Sequence, residues 1–112
     1  MSEKNNEKRR LQRLPLNLEA TCQSEGSFFT GYVQDISTGG LKLETQKKLE
    51  KGSTVSMSLD SRRPLKLEGS VRWCARQKLH FLYGIKFNDI TEEKETILRE
   101  LVQGLFWKSY GG

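Results

Sequence analysis

The chain has 112 residues, 35% hydrophobic and 29% charged, room for one small domain with a modest core. Its net charge is +5, and Leu, Ile, Val and Phe make up a quarter of it, more than a disordered chain carries. No run of about 18 apolar residues offers a membrane span, and the first residues, Met1 to Asn6, lack the apolar stretch of a signal peptide. The expectation is a cytoplasmic protein with no membrane insertion.

Residues 1–14 form a basic arm, with Lys4, Lys8, Arg9, Arg10 and Arg13 against Glu3 and Glu7, and only +2 is left for the rest of the chain. Such an arm attracts phosphates, and composition alone leaves open whether it is a ligand arm or a solvated terminus. Pro15 ends it and biases Leu14 toward an extended conformation. Strict alternation then begins. Leu16, Leu18, Ala20 and Cys22 alternate with Asn17, Glu19 and Thr21, the period of a half-buried strand. Ser24 to Ser27 is a turn, and Phe28 to Asp35 a second strand rich in aromatic and β-branched residues. Ser37-Thr38-Gly39-Gly40 breaks it, and Leu41 to Thr45 resumes the alternation.

A charged connection over residues 46–52 leads to Val55, Met57 and Leu59, which alternate with serines. Ser61 to Pro64 is the next turn. A long alternating run follows, with Leu65, Leu67, Gly69, Val71, Trp73 and Ala75 on one face. Leu79, Phe81, Tyr83, Ile85 and Phe87 make a last strand, with His80 on its opposite, exposed face. Gly69 and Gly84 stand inside strands, where glycine marks a bulge or a sharp bend. The period changes after Asp89. Thr91 is an N-cap, Glu92 and Glu93 suit the first turn, and Ile97, Leu98, Leu101, Val102, Leu105 and Phe106 share one helical face.

The fold class is therefore mainly β: a six-stranded antiparallel β-barrel with a C-terminal α-helix and a flexible basic N-terminal arm. The organisation expected is a single domain, with the arm over 1–14, the barrel over 15–88, and the helix and tail over 89–112. The helix's apolar stripe covers one opening or side of the barrel. Cys22 and Cys74 are too few for a disulfide scaffold or a zinc site and are expected as free thiols. One histidine leaves little for metal binding or acid–base catalysis. Asp35, Ser37 and His80 do not make a triad, because Asp and Ser two residues apart leave poor geometry for an intervening His. No enzyme is expected, and no metal.

Two clusters carry chemistry. Arg9 and Arg13 point the same way in a helix and in a strand. Their planar donor forks suit phosphate oxygens and the O6/N7 edge of guanine. Asp35 and Ser37, two apart, share a face if the strand runs through them, where Asp35 can accept hydrogen bonds from a purine N–H edge and Ser37 can donate or accept. Gly40 leaves space and permits a positive φ, so a ligand can approach the backbone. Each cluster taken alone is also an ordinary basic segment or an ordinary turn.

Together, Arg9-x-x-x-Arg13 followed by Asp35-x-Ser37-x-x-Gly40 resembles the PilZ domain family. Glu7 to Arg10, Pro15 before strand one, Val71-Arg72-Trp73, Gly84 to Phe87 and the terminal helix also look like that family, so the resemblance covers nearly the whole chain. It implies a six-stranded barrel that binds the bacterial second messenger cyclic di-GMP. It implies Arg9 and Arg13 as principal anchors, Arg10 as a secondary contact, Asp35 and Ser37 as hydrogen-bonding groups, and Gly40 as the residue that makes room. Lys8 stands where a basic residue accompanies a stacked ligand dimer in the family. Trp73 stands where a tryptophan lies near the ligand in some members, although its alternation with Leu67 and Val71 puts it in the core or at the pocket edge. The function implied is a cyclic di-GMP receptor that signals to an unidentified downstream protein. Two alternatives stay open: a degenerate PilZ module working only through protein contacts, and a small nucleic-acid-binding barrel. DNA binding is not expected, because the charge sits on the arm and the domain body is nearly neutral.

Overall fold

Alternating apolar residues give each strand one face that leaves water, and closing the sheet on itself buries all those faces together. The computed structural model describes residues 18–59 and 65–110, with side chains through Gly104. It contains β1 (Leu18–Ser24), β2 (Ser27–Ile36), β3 (Gly40–Thr45), β4 (Thr54–Leu59), β5 (Leu65–Arg76), β6 (Phe81–Phe87) and α1 (Glu92–Tyr110). The strands form a closed barrel in the order β1-β2-β3-β6-β5-β4, every neighbouring pair antiparallel. The six strands and the helix expected from the sequence are all present. Leu16, Ser61 to Pro64, Leu105 and Phe106 lie outside the described residues or side chains.

The inward residues Ala20, Cys22, Val33, Leu43, Val55, Met57, Leu67, Val71 and Tyr83 are buried and form one cluster. Both cysteines are free thiols, Cys22 buried and Cys74 exposed. Burial pushes the Cys22 thiol from its ordinary 9.0 to about 12, partly opposed by a hydrogen bond with the Gly31 backbone. At the β1–β2 turn, Glu25 and Gly26 both have positive φ, 51° and 82°. That twist fits a two-residue hairpin joining Ser24 and Ser27, which face each other in the ladder.

Two sequence expectations need correction. The last strand begins at Phe81, not at Leu79. Leu79 lies in the β5–β6 loop and is 79% exposed, because the Gln77 N–H bonds to the His80 carbonyl (2.8 Å) and closes the loop behind it. The alternation of β5 also fails after Val71: the register shifts there, and Trp73 and Ala75 are exposed.

Tyr83 ties the β3–β4 connection to the barrel. Its hydroxyl accepts the Leu49 N–H (2.7 Å) and donates to the Lys47 carbonyl (2.9 Å). Leu49 is thereby held in the core, which explains a buried leucine in a charged connection. Burial raises the Tyr83 phenol above its ordinary 10.0, against the lowering effect of the Leu49 bond. After β6, the Asn88 N–H bonds to the Glu68 carbonyl (2.8 Å), and Asn88 Oδ1 accepts the Ser70 hydroxyl (3.0 Å). Thr91 then caps α1, its Oγ1 accepting the Lys94 N–H (3.2 Å). Glu92, Glu93 and Glu95 place negative charge in the first turn. Leu98 is fully buried, Ile97, Leu101 and Val102 pack on the same core, and α1 lies against β5.

Tyr83→Phe strands the Leu49 N–H and the Lys47 carbonyl, so it is expected to cost about 1–3 kcal/mol, read as a lower urea midpoint at unchanged slope. In the native protein Cys74 is expected to react promptly with a thiol reagent, and Cys22 only after unfolding. The Cys22 thiol stays protonated toward about pH 12 when folded but ionises near 9.0 when unfolded. Its stabilising contribution is full below pH 9 and is lost as pH rises toward 12, so Cys22→Ala should flatten the alkaline fall of the urea midpoint.

Candidate functional site

Two β-bulges build the site. In β2 the pairing runs Val33 with Leu43 and then Asp35 with Lys42, which leaves Gln34 as an extra residue. In β5 it runs Val71 with Ile85 and then Trp73 with Gly84, which leaves Arg72 extra. One extra residue reverses which face every later residue occupies. Past the first bulge, Asp35 turns outward and Ile36 goes into the core. Past the second, Trp73 turns outward instead of joining Leu67 and Val71.

The two reversals meet on one line. Asp35, Lys42, Gly84 and Trp73 are register partners across β2, β3, β6 and β5. They border a shallow cavity of about 400 Å³, within the size range of small-molecule sites. Ser37, Gly40, Arg72 and Lys86 line it as well. Trp73, 41% exposed, lies with the pyrrole part of its indole where a Cβ on Gly84 would stand. Glycine is required there because the ring covers the β6 backbone directly.

The turn from β2 to β3 is held by local bonds. The Ser37 N–H donates to the Gly40 carbonyl (2.9 Å), and the Ser37 hydroxyl donates to the same carbonyl (3.3 Å) while accepting the Gly39 N–H (3.3 Å). The Gly39 carbonyl accepts the Phe87 N–H (3.0 Å), which fastens the turn to β6. Gly40 departs from the sequence expectation. Its φ is not positive; a Cβ there would run into the Ile85 carbonyl. The close approach that requires glycine is to the neighbouring strand.

The lining charges are Lys42, Arg72 and Lys86 against Asp35. Lys42 Nζ is 3.9 Å from Asp35 Oδ2, a long and partly exposed pair worth less than about 1 kcal/mol. An anionic ligand can therefore draw on Lys42 at small cost. Among the described residues no group of His, Cys, Asp or Glu is arranged to hold a metal ion.

Asp35, Ser37, Gly40 and Trp73 are thus brought together. Lys8, Arg9, Arg10 and Arg13 lie outside the described residues. Lys42, Arg72 and Lys86 were not among the site residues expected from the sequence. Lys42 and Lys86 were available from alternation, since they sit on outward positions of β3 and β6. Arg72 was available in the same way, on the face of β5 opposite Leu67 and Val71; the bulge decides that Trp73 joins it on that side.

The family model of the PilZ domain matches residues 7–104. The chain belongs to the PilZ domain family. That match spans both Arg9 and Arg13 and the Asp35–Gly40 turn of this PilZ domain. Its fold is similar to that of apo MrkH from K. pneumonia, with TM-score 0.74 and 14% identity over 87% of this chain and 50% of that one. It is similar to the PilZ domain of YcgR from Escherichia coli, solved with c-di-GMP, with TM-score 0.73 and 10% identity over 89% and 94%. The PilZ domain of CeSA from a cellulose-synthesizing bacterium follows at TM-score 0.63 and 20% identity over 83% and 96%. The chain spans about half the length of MrkH. No curated protein matches it in sequence.

Gly84→Ala is expected to push the Trp73 indole off β6. The Trp73 indole N–H resonance should move, and stability should fall by about 1–3 kcal/mol, the usual cost of an overpacked contact.

Proposed function

We propose that this PilZ domain binds cyclic di-GMP in the cavity bordered by Asp35, Lys42, Gly84 and Trp73, and acts as a receptor that signals to a protein partner. The cross-strand row of those four residues, beside the Ser37–Gly40 turn, carries the reading. Three cations against one carboxylate suit a ligand with two phosphates. Asp35 accepts from the guanine N–H edge, Ser37 adds a hydroxyl, and the Trp73 ring offers an aromatic edge.

The arm supplies the remaining grip in this reading. Leu18 of β1 faces Val33 of β2, two residues before Asp35. β1 therefore begins beside the end of β2 that carries the site. Arg13 is five residues before Leu18, a span of at most about 18 Å. Arg9 and Arg13 are the anchors, Arg10 a secondary contact, and Lys8 the residue tied to a second, stacked ligand. Residues 1–14 act as the arm, 15–88 as the barrel, and 89–112 as the helix and tail of one domain. Ligand binding neutralises the arm and holds it on the barrel, and the partner reads that surface. The assignment is a binding protein without catalysis, working in the cytoplasm.

Calorimetric titration of cyclic di-GMP into the full chain tests this. Saturable binding is expected, with the inflection giving one or two ligands per chain. Each of Arg9→Ala and Arg13→Ala should weaken it at least about tenfold, or 1.4 kcal/mol. A folded protein that gives no heat, or an Arg13→Ala variant that binds like the parent, overturns the assignment. Binding of an oligonucleotide with steep salt dependence in place of cyclic di-GMP turns it toward nucleic acid.

A further inference from the structure

A polar clasp lies beside the cavity and belongs to neither motif. Gln34 is the extra residue of the β2 bulge and is half-buried. Its Nε2 donates to Glu44 Oε1 at 3.3 Å. The other Glu44 oxygen, Oε2, is 3.2 Å from His80 Nε2. Both oxygens of one carboxylate are thus engaged, one by the bulge of β2 and one by the loop before β6. Glu44 stands on the same outward face of β3 as Lys42, one cross-strand row away from the site.

We infer that Gln34 and Glu44 are positioning residues for Asp35, and that they set how selectively the site reads guanine; this rests on the cyclic di-GMP reading above. The bulge residue has no register partner on β3, so the ladder alone does not fix the backbone there. The core already decides which face Asp35 takes, because Ile36 beside it is buried. The aim of the carboxylate depends on how the backbone that carries it is held. The Gln34–Glu44 bond joins the bulge to the neighbouring strand one residue before Asp35 and limits its rocking.

Aim matters unequally for the two halves of the ligand. A carboxylate gripping two N–H donors needs both oxygens within about 3 Å and correctly angled. Attraction between phosphates and the cations Lys42, Arg72 and Lys86 falls off slowly with distance. Loosening the clasp therefore costs recognition of the base and spares recognition of the phosphates.

The test uses cyclic di-GMP and cyclic di-IMP, which differ only in the exocyclic amine on the base edge. Both are titrated into the full-length parent, Gln34→Ala, Glu44→Ala and Glu44→Gln. The parent is expected to prefer cyclic di-GMP about tenfold, the worth of one hydrogen bond to a charged group. In Gln34→Ala and Glu44→Ala that preference should shrink to about threefold or less, almost all of it through weaker cyclic di-GMP binding. Glu44→Gln should restore it, because its amide oxygen still accepts from Gln34. An unchanged ratio in Glu44→Ala overturns the inference. So does equal weakening of both nucleotides, which is the mark of a general structural defect, and so does a Glu44→Gln variant as impaired as Glu44→Ala. The backbone amide resonances of residues 33–36 in ligand-free protein separate the two levels. If Glu44→Ala leaves them unmoved, the clasp does not hold the bulge, whatever binds. If they move but the parent binds neither nucleotide, the cyclic di-GMP reading is what has failed, and the positioning role falls with it.

Discussion

One extra residue in each of two strands is the constraint on which the site depends. A closed barrel built from strict alternation has an inside full of apolar side chains and an outside that inherits whatever lies between them. Without the bulge at Gln34, Asp35 would share the inward parity of Val33 and Gly31. Without the bulge at Arg72, Trp73 would point inward with Val71. The bulges move a carboxylate and an aromatic ring from core parity to outer parity, with two strands between them, on one cross-strand line. The compensation is local. Ile36 takes the core position that Asp35 leaves, so the hydrophobic interior closes over the defect.

Close backbone approach is the second half of the arrangement. Gly84 lets the Trp73 indole lie against β6, and Gly40 lets the β2–β3 turn seat on Ile85. Neither glycine needs an unusual φ; among the described residues the positive-φ glycines are Gly26 and Gly52, in other turns. The outer face is thus sculpted by missing side chains as much as by present ones. A shallow cavity results between Asp35 and Trp73, with Lys42, Arg72 and Lys86 at its edges. The barrel beneath is held firm by the Tyr83 hydroxyl and by the Thr45 hydroxyl, which donates to the Thr30 carbonyl across the sheet (2.9 Å). Above it the outer face carries the charged side chains of Asp35, Lys42, Arg72 and Lys86.

Identities of 10% to 20% with MrkH, YcgR and CeSA accompany nearly complete coverage of this fold. The physical reason lies in what a small barrel requires. Its interior accepts any apolar set of suitable volume at alternate positions, so residue identity drifts while the period is kept. Bulges and close-approach glycines are less negotiable, because each fixes a register or removes a clash that no other residue relieves.

Strand count, the terminal helix with its Thr91 cap, the inward set of Cys22, Met57 and Tyr83, and the family were all readable from the residues alone. These follow from local period and from motifs, both carried by near neighbours along the chain. The sequence also pointed to Asp35, Ser37 and Gly40 as a unit, since they sit within six residues. It took the folded barrel to turn Trp73 out of the core, to bring Arg72 and Lys86 to the same cavity as Asp35, and to set Gly40 against β6. Each of those depends on register between strands far apart in the chain. Alternation and in-strand glycines hint at a bulge but do not place it until the partner strand is known, and for that reason the fold was legible in advance and the layout of the cavity face was not.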